Sequence, residues 1–207
     1  MIILTQLQFN NSVVKLSLDL KYATPGTWTS TVMNDFNSFL QDHADCERKA
    51  SAMALSFVSK CPDKVKIIPW LIETALEELE HFQQVYKIME SRGVKLKNEM
   101  PQDLYIKKLL DMLRTKPEER LLDRLLLASI IECRGTERFR LVAEALEDAE
   151  LKSFYKKLWA SEAKHGNIFV QMALEYYDKN ETYQRLEELT EQEGKICASL
   201  PLRAAVH

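Results

Sequence analysis

Glu78-Leu79-Glu80-His81 and its counterpart Glu162-Ala163-Lys164-His165 decide how this chain is read. Each carries a glutamate and a histidine three residues apart. Each also has another glutamate about thirty residues upstream, Glu47 before the first and Glu132 before the second. Residues three apart on a helix share a face, so one Glu and its His can grip one metal ion. Two such helices, joined by two more that each supply a glutamate, make a four-helix bundle with a carboxylate-rich two-metal site at its centre. The chain has four histidines and two of them stand at this spacing, which makes coincidence a poor account of the pattern.

The surrounding sequence places these residues on apolar faces. A long helix is expected from Thr27 or Thr29 to about Lys60. On it Phe36, Leu40, His43, Glu47, Ala50 and Ala54 recur at steps of three and four, and Ala50, Ala52 and Ala54 allow close packing. A second helix, over about 65–92, carries Leu71, Ala75, Glu78, Phe82, Val85 and Met89, and Gly93 suits its C-terminal stop. Met100-Pro101 opens a short crossover helix with Tyr105, Leu109 and Met112. Pro117-Glu118-Glu119 begins the third bundle helix, with proline and acids in the favoured first turn. That helix bears Leu122, Leu125, Ala128, Glu132, Phe139 and Val142. The fourth, over about 148–178, bears Tyr155, Leu158, Glu162, His165, Phe169 and Met172. An extra helix starts near Thr182. The expected organisation is an N-terminal arm over 1–25, then one all-α domain over 26–207 with the ferritin-like bundle architecture.

Composition agrees with this reading. Five glycines and six prolines are few for 207 residues, and charged residues make up 29%, as in long helices. No apolar run is long enough to span a bilayer, and Met1-Ile2-Ile3-Leu4 lacks the cationic flank of a signal peptide. Cys46, Cys61, Cys133 and Cys197 show neither a C-x-x-C pair nor zinc-finger spacing, so reduced thiols in a cytoplasmic protein are expected. A net charge of −3 argues against a generic nucleic-acid binder. That argument weakens if four glutamates are neutralised on metal, because the exterior is then close to neutral.

A carboxylate on an apolar stripe is costly unless its charge is compensated. Four glutamates and two divalent ions balance, and oxygen ligands with two imidazoles suit iron or manganese. Glu47, Glu78 and His81 are assigned to one metal and Glu132, Glu162 and His165 to the other, with Glu78 and Glu162 as bridges. Glu77 and Glu137 are the nearby alternatives, disfavoured because they break the matched spacing. Glu73, Glu80 and Glu90 are expected in solvent. His43 is expected to be an ordinary packed residue, and Cys46 and Cys133 to be packing residues.

Four segments carry a resemblance to a known family. They are Asp42-His43-Ala44-Asp45-Cys46-Glu47-Arg48-Lys49-Ala50, Glu77-Glu78-Leu79-Glu80-His81-Phe82-Gln83-Gln84-Val85, Ile131-Glu132-Cys133-Arg134-Gly135-Thr136-Glu137-Arg138-Phe139 and Ser161-Glu162-Ala163-Lys164-His165. Together they resemble the bacterial tRNA 2-methylthio-N6-isopentenyladenosine hydroxylases, the MiaE family, over roughly 25–180. Cys133 and Gly135-Thr136 depart from the Ala and Ser-Cys of that pattern and leave the ligand positions intact. The resemblance implies a non-haem di-iron monooxygenase that uses two iron ions and O2 to hydroxylate the isopentenyl side chain of a modified adenosine beside the tRNA anticodon. It also implies a separate reductase supplying two electrons, since no flavin or NAD fingerprint occurs here. For tRNA phosphates the candidate contacts are Arg114, Lys116, Arg120 and Arg124; then Arg134, Arg138 and Arg140; then Lys152, Lys156 and Lys157. Two rivals stand beside this reading: a ferritin- or rubrerythrin-like iron oxidase or peroxidase, and a metal-free helical scaffold. The absence of a rubredoxin-like cysteine tail counts against rubrerythrin.

Overall fold

Two helices stand where the sequence pattern predicts one long first helix. The computed structural model describes residues 18–207, and the helices run α1 Gly26–Asn34, α2 Phe36–Lys60, α3 Ile68–Ser91, α4 Leu104–Leu110, α5 Pro117–Ala145, α6 Ala149–Leu174 and α7 Lys179–Ser199. The break falls at Asp35, whose backbone leaves helical geometry while its side chain accepts the Ser38 N–H and caps α2. A short acidic side chain that can satisfy the next helix's first donors competes with helix continuation. Most of the expected arm, residues 1–17, lies outside the described residues.

Aspartates start other helices in the same way. Asp103 accepts from Ile106, Asp148 from Glu150 and Leu151, and Asp178 from Asn180 and Glu181. Each such cap is worth about 1 kcal/mol. Gly93 has φ +68°, the left-handed value that closes α3, and the Val94 N–H returns to the Met89 carbonyl.

The bundle is built from two helical hairpins, α2 with α3 and α5 with α6. Helix α4 lies on the crossover between them and α7 packs along α5. At Gly166 helices α5 and α6 approach closely: an added Cβ there would lie 2.5 Å from Cys133 Sγ, and the Ser129 hydroxyl bonds the Gly166 carbonyl. Ala52, expected in a helix contact, faces solvent instead.

Apolar residues fill the two ends of the bundle. One end gathers Phe57, Leu71, Leu125, Phe169 and Met172, and the other Phe39, Phe139, Val142, Tyr155 and Leu158. On each of the four bundle helices the candidate ligands lie between these layers. Burying one such side chain contributes about 1.5–3 kcal/mol, so the two layers offset the cost of a polar centre. No helix among the described residues is long and apolar enough to cross a membrane.

After α7 the chain returns over the α1–α2 end. Trp28 Nε1 donates to the Ala205 carbonyl at 3.2 Å, the Val206 N–H donates to Asp42 at 2.6 Å, and Arg138 donates to the Val206 carbonyl at 2.5 Å.

Candidate metal centre

All six residues singled out by spacing meet in the middle of the bundle. Glu47, Glu78, His81 and Glu162 each bring one donor atom within 4.8 Å of the others, and Glu78, Glu132, Glu162 and His165 form a second such set. Glu78 and Glu162 belong to both sets. Five of the six side chains are buried, and Glu132 is half-buried at the inner end of a cavity.

The short contacts inside the cluster are informative about what it can hold. His81 Nδ1 lies 2.6 Å from Glu162 Oε1, and His165 Nδ1 lies 2.7 Å from Glu78 Oε1. Yet both Glu78 oxygens, Glu162 Oε1 and His81 Nδ1 are buried without a hydrogen-bond partner. His165 Nδ1 does bond Glu162 Oε2 at 2.9 Å, but these four atoms crowd together without the angles of hydrogen bonds. Buried polar atoms are normally satisfied, and unsatisfied ones call for an explanation such as an ion. Carboxylate oxygens and imidazole nitrogens converging on shared space fit a pair of hard or borderline divalent cations.

Electrostatics point the same way. Burial, reinforced by the charges of Glu162 and Glu78, pushes Glu47 well above the usual carboxylate range, and Glu132 is raised by burial and then by Glu78 and Glu162. Burial alone would raise Glu78, but the close approach of the His165 and His81 rings brings it down to about 2. Burial alone would lower the two histidines; Glu162 and Glu78 instead raise His81 to about 10 and His165 to about 12. Without metal, protons therefore supply part of the positive charge that the carboxylates require. Metal binding has to expel them.

Around this cluster the structure places groups that spacing arguments misjudged. Glu77, weighed only as a substitute ligand, accepts from His165 Nε2 at 2.6 Å and so holds the ring with Nδ1 turned inward. His43, expected merely to pack, is fully buried with Nε2 2.6 Å from Glu47 Oε1 and Nδ1 3.0 Å from the Tyr155 hydroxyl. Burial lowers His43 to about 3, so it is neutral; with Nε2–H given to Glu47, Nδ1 is left to accept from Tyr155. The signal for His43 was present, one turn before Glu47, but a lone histidine carries no information about its partner. Glu137, the other substitute, pairs instead with Arg134 and Thr24.

Beside the carboxylates lies a cavity of about 390 Å³ between α2 and α5, roofed by α4 and by Val206 and His207. Glu47, Glu132 and Glu162 line one end, and Met53, Phe57, Ile106, Leu127 and Ile131 make most of the remaining wall apolar. Cys46 lines it too, so it is more than the packing residue expected.

Three of the candidate arginines are tied inward and offer no free surface. Arg134 is fully buried, with Nε and Nη2 2.8 and 2.9 Å from Glu193, and Arg138 is 8% exposed, bonded to Val206 and stacked on Trp28. Arg114 is tied to Asp123. Lys116, Arg120, Lys156 and Lys157 remain exposed. Counting cations along a sequence cannot distinguish inward from outward guanidinium groups. Here the buried acids of α5 and α7 decide it.

A model of the family described as tRNA-(MS[2]IO[6]A)-hydroxylase (MiaE) matches residues 12–207. A tRNA 2-(methylsulfanyl)-N(6)-isopentenyladenosine(37) hydroxylase of Pseudomonas putida is 32% identical over 176 residues, 85% of this chain and 85% of that protein. The Salmonella typhimurium hydroxylase of the same name is 33% identical over 108 residues, covering 52% of this chain and 39% of that protein. Among solved structures, a Synechococcus protein described as having aldehyde deformylating oxygenase activity superimposes with a TM-score of 0.84. It is 32% identical, and the match covers 89% of this chain and 92% of that one.

Proposed function

The chain belongs to the tRNA hydroxylase family MiaE, and from that premise we propose that it hydroxylates the isopentenyl side chain of 2-methylthio-N6-isopentenyladenosine in tRNA. One observation supports the substrate reading above others: the apolar cavity between α2 and α5 ends on Glu47, Glu132 and Glu162. A prenyl group is apolar and a nucleobase is flat, and pockets of a few hundred Å³ are the usual size for such ligands. The base has to leave the anticodon-loop stack to enter.

Glu47, Glu78 and His81 would hold one iron ion and Glu132, Glu162 and His165 the other, with Glu78 and Glu162 reaching both. Bound there, a pair of irons would supply the O2-activating redox chemistry by which one oxygen atom enters a C–H bond. The other oxygen leaves as water, which takes two protons and two electrons, the electrons from a separate reductase. The chain's own contribution is positional. The cavity wall excludes water and aims the prenyl group at the carboxylate end. Tyr155 and His43 hold Glu47 by one oxygen, and Glu77 fixes the tautomer and orientation of His165.

Groups of that kind typically change metal affinity by about 10–100-fold when removed. Glu77→Ala and Tyr155→Phe are accordingly expected to weaken iron or cobalt binding by about that factor while helicity is unchanged. Metal titration followed by circular dichroism checks this, and unaltered affinity in both variants would count against the positional role.

The direct test is nucleoside mass spectrometry of tRNA treated with the iron-loaded, chemically reduced protein in air. A mass gain of one oxygen on the prenylated nucleoside is expected. The same apolar cavity would also accept a free alkyl aldehyde, the substrate class of the Synechococcus neighbour. Unchanged tRNA together with formate release from an added aldehyde would move the assignment there. Iron mineralisation with neither reaction would leave an iron oxidase.

A further inference from the structure

The cavity has a second end, remote from the carboxylates, and its chemistry is different. From the carboxylates it extends along α2 from Glu47 to Phe57 and along α5 from Glu132 to Arg124, about 12–15 Å at the helical rise, while Gly135 and Phe139 continue the wall on the other side of the carboxylates. At the far end Arg124 lines the cavity, its Nη2 2.9 Å from Ser56 Oγ and its guanidinium 4.2 Å from the Phe57 ring centroid. Phe57 is itself 1% exposed, so the platform under the guanidinium is fixed.

What Arg124 lacks is an acid. Arg114 and Arg185 share Asp123, and Arg134 pairs with Glu193. No carboxylate among the described residues pairs with Arg124, and the charge acting on it most unfavourably is a second cation, Arg120, one turn earlier on α5. Burial holds its guanidinium below the ordinary arginine value, the nearby Cys61 thiol opposes this, and the like charge of Arg120 adds to it. A half-buried cation with no paired carboxylate, held over a ring and beside another arginine, is arranged to receive an anion.

Resting on the substrate reading above, we infer that Arg124 binds a phosphate flanking the prenylated adenosine, fixing how far the nucleotide enters the cavity. With the phosphate at Arg124 and the base between, the prenyl tip reaches the carboxylate end. The span from prenyl tip across adenine and ribose to phosphate is comparable to the distance from the carboxylates to Arg124.

The experiment is a binding comparison on the full iron-loaded chain without oxygen. Six probes are used: adenosine and N6-isopentenyladenosine, and the 5′ and 3′ monophosphates of each. The prenyl group reads the substrate assignment and the phosphate reads Arg124. At least one phosphate form is expected to bind about 10-fold more tightly than its nucleoside, as suits a charge-assisted bidentate contact. Arg124→Gln should erase that difference, and Arg124→Lys should keep part of it. On whole tRNA, Arg124→Gln should also reduce the salt dependence of log affinity by about one unit of slope. Phosphate forms that bind no better than nucleosides, or an advantage that survives Arg124→Gln, would overturn the inference while leaving the substrate assignment standing. Prenylated probes that bind no better than unprenylated ones would instead defeat the substrate assignment, and the phosphate comparison would still report on Arg124.

Discussion

Glu78→Ala is expected to remove both metals, whereas Glu47→Ala removes one. The difference follows from geometry: Glu78 contributes to both donor sets, and Glu47 to one, with its other oxygen engaged by His43. Loss of Glu78 also strips the compensation from His81 and His165, whose raised pKa values depend on it. Two like charges then face each other with only Glu162 between them. Metal analysis after reconstitution should return close to zero ions per chain for Glu78→Ala and close to one for Glu47→Ala. Hydroxylation by Glu78→Ala should fall well beyond the roughly 10–100-fold loss typical of groups outside the ligand set. Circular dichroism should stay near wild type, because the apolar layers above and below the site remain. Two ions retained in Glu78→Ala would refute the assignment of Glu78 to both positions.

The largest stability effect is expected at Glu193. Arg134 and Glu193 are both fully buried, joined by two hydrogen bonds between α5 and α7, and Glu193 also accepts from Tyr105 at 3.0 Å. A buried ion pair contributes little net stability, since desolvation cancels most of the attraction. Removing one partner is different, because the remaining charge stays buried; the cost is about 3–5 kcal/mol. Half-buried Glu137 still touches Arg134 and should hold Glu193→Ala toward the lower figure. In a protein of this size each kcal/mol moves Tm by about 2–4 °C, so a drop of order 10 °C is expected. The paired change Arg134→Met with Glu193→Leu should recover most of it. Urea and thermal unfolding of the two variants measure this, and a Glu193→Ala protein as stable as wild type would show the pair to be solvated.

The sequence and the structure each settle a definite share. The candidate ligands were legible because a charged residue in an apolar stripe is a local contradiction that periodicity exposes. Glu47, Glu78, Glu132 and Glu162 each stand in such a stripe, and Gly93 and Pro117 punctuate helices by backbone sterics that act locally. The break at Asp35 was not legible, because Asp35 can sit within a helix or cap one. Only the packing of α1 against α5 favours the cap here.

Roles that depend on a partner far along the chain were invisible for the same reason. Glu77 and His165 are 88 residues apart, His43 and Tyr155 are 112, and Arg134 and Glu193 are 59. By itself the sequence determined the helices, the bundle and the six residues at its centre, since these follow from periodicity and from the cost of burying charge. Tertiary structure alone decided which arginines turn inward, which acids orient the histidines and where an apolar cavity ends on an unpaired cation. Those are properties of the space between helices, fixed by which faces come together when the apolar layers close.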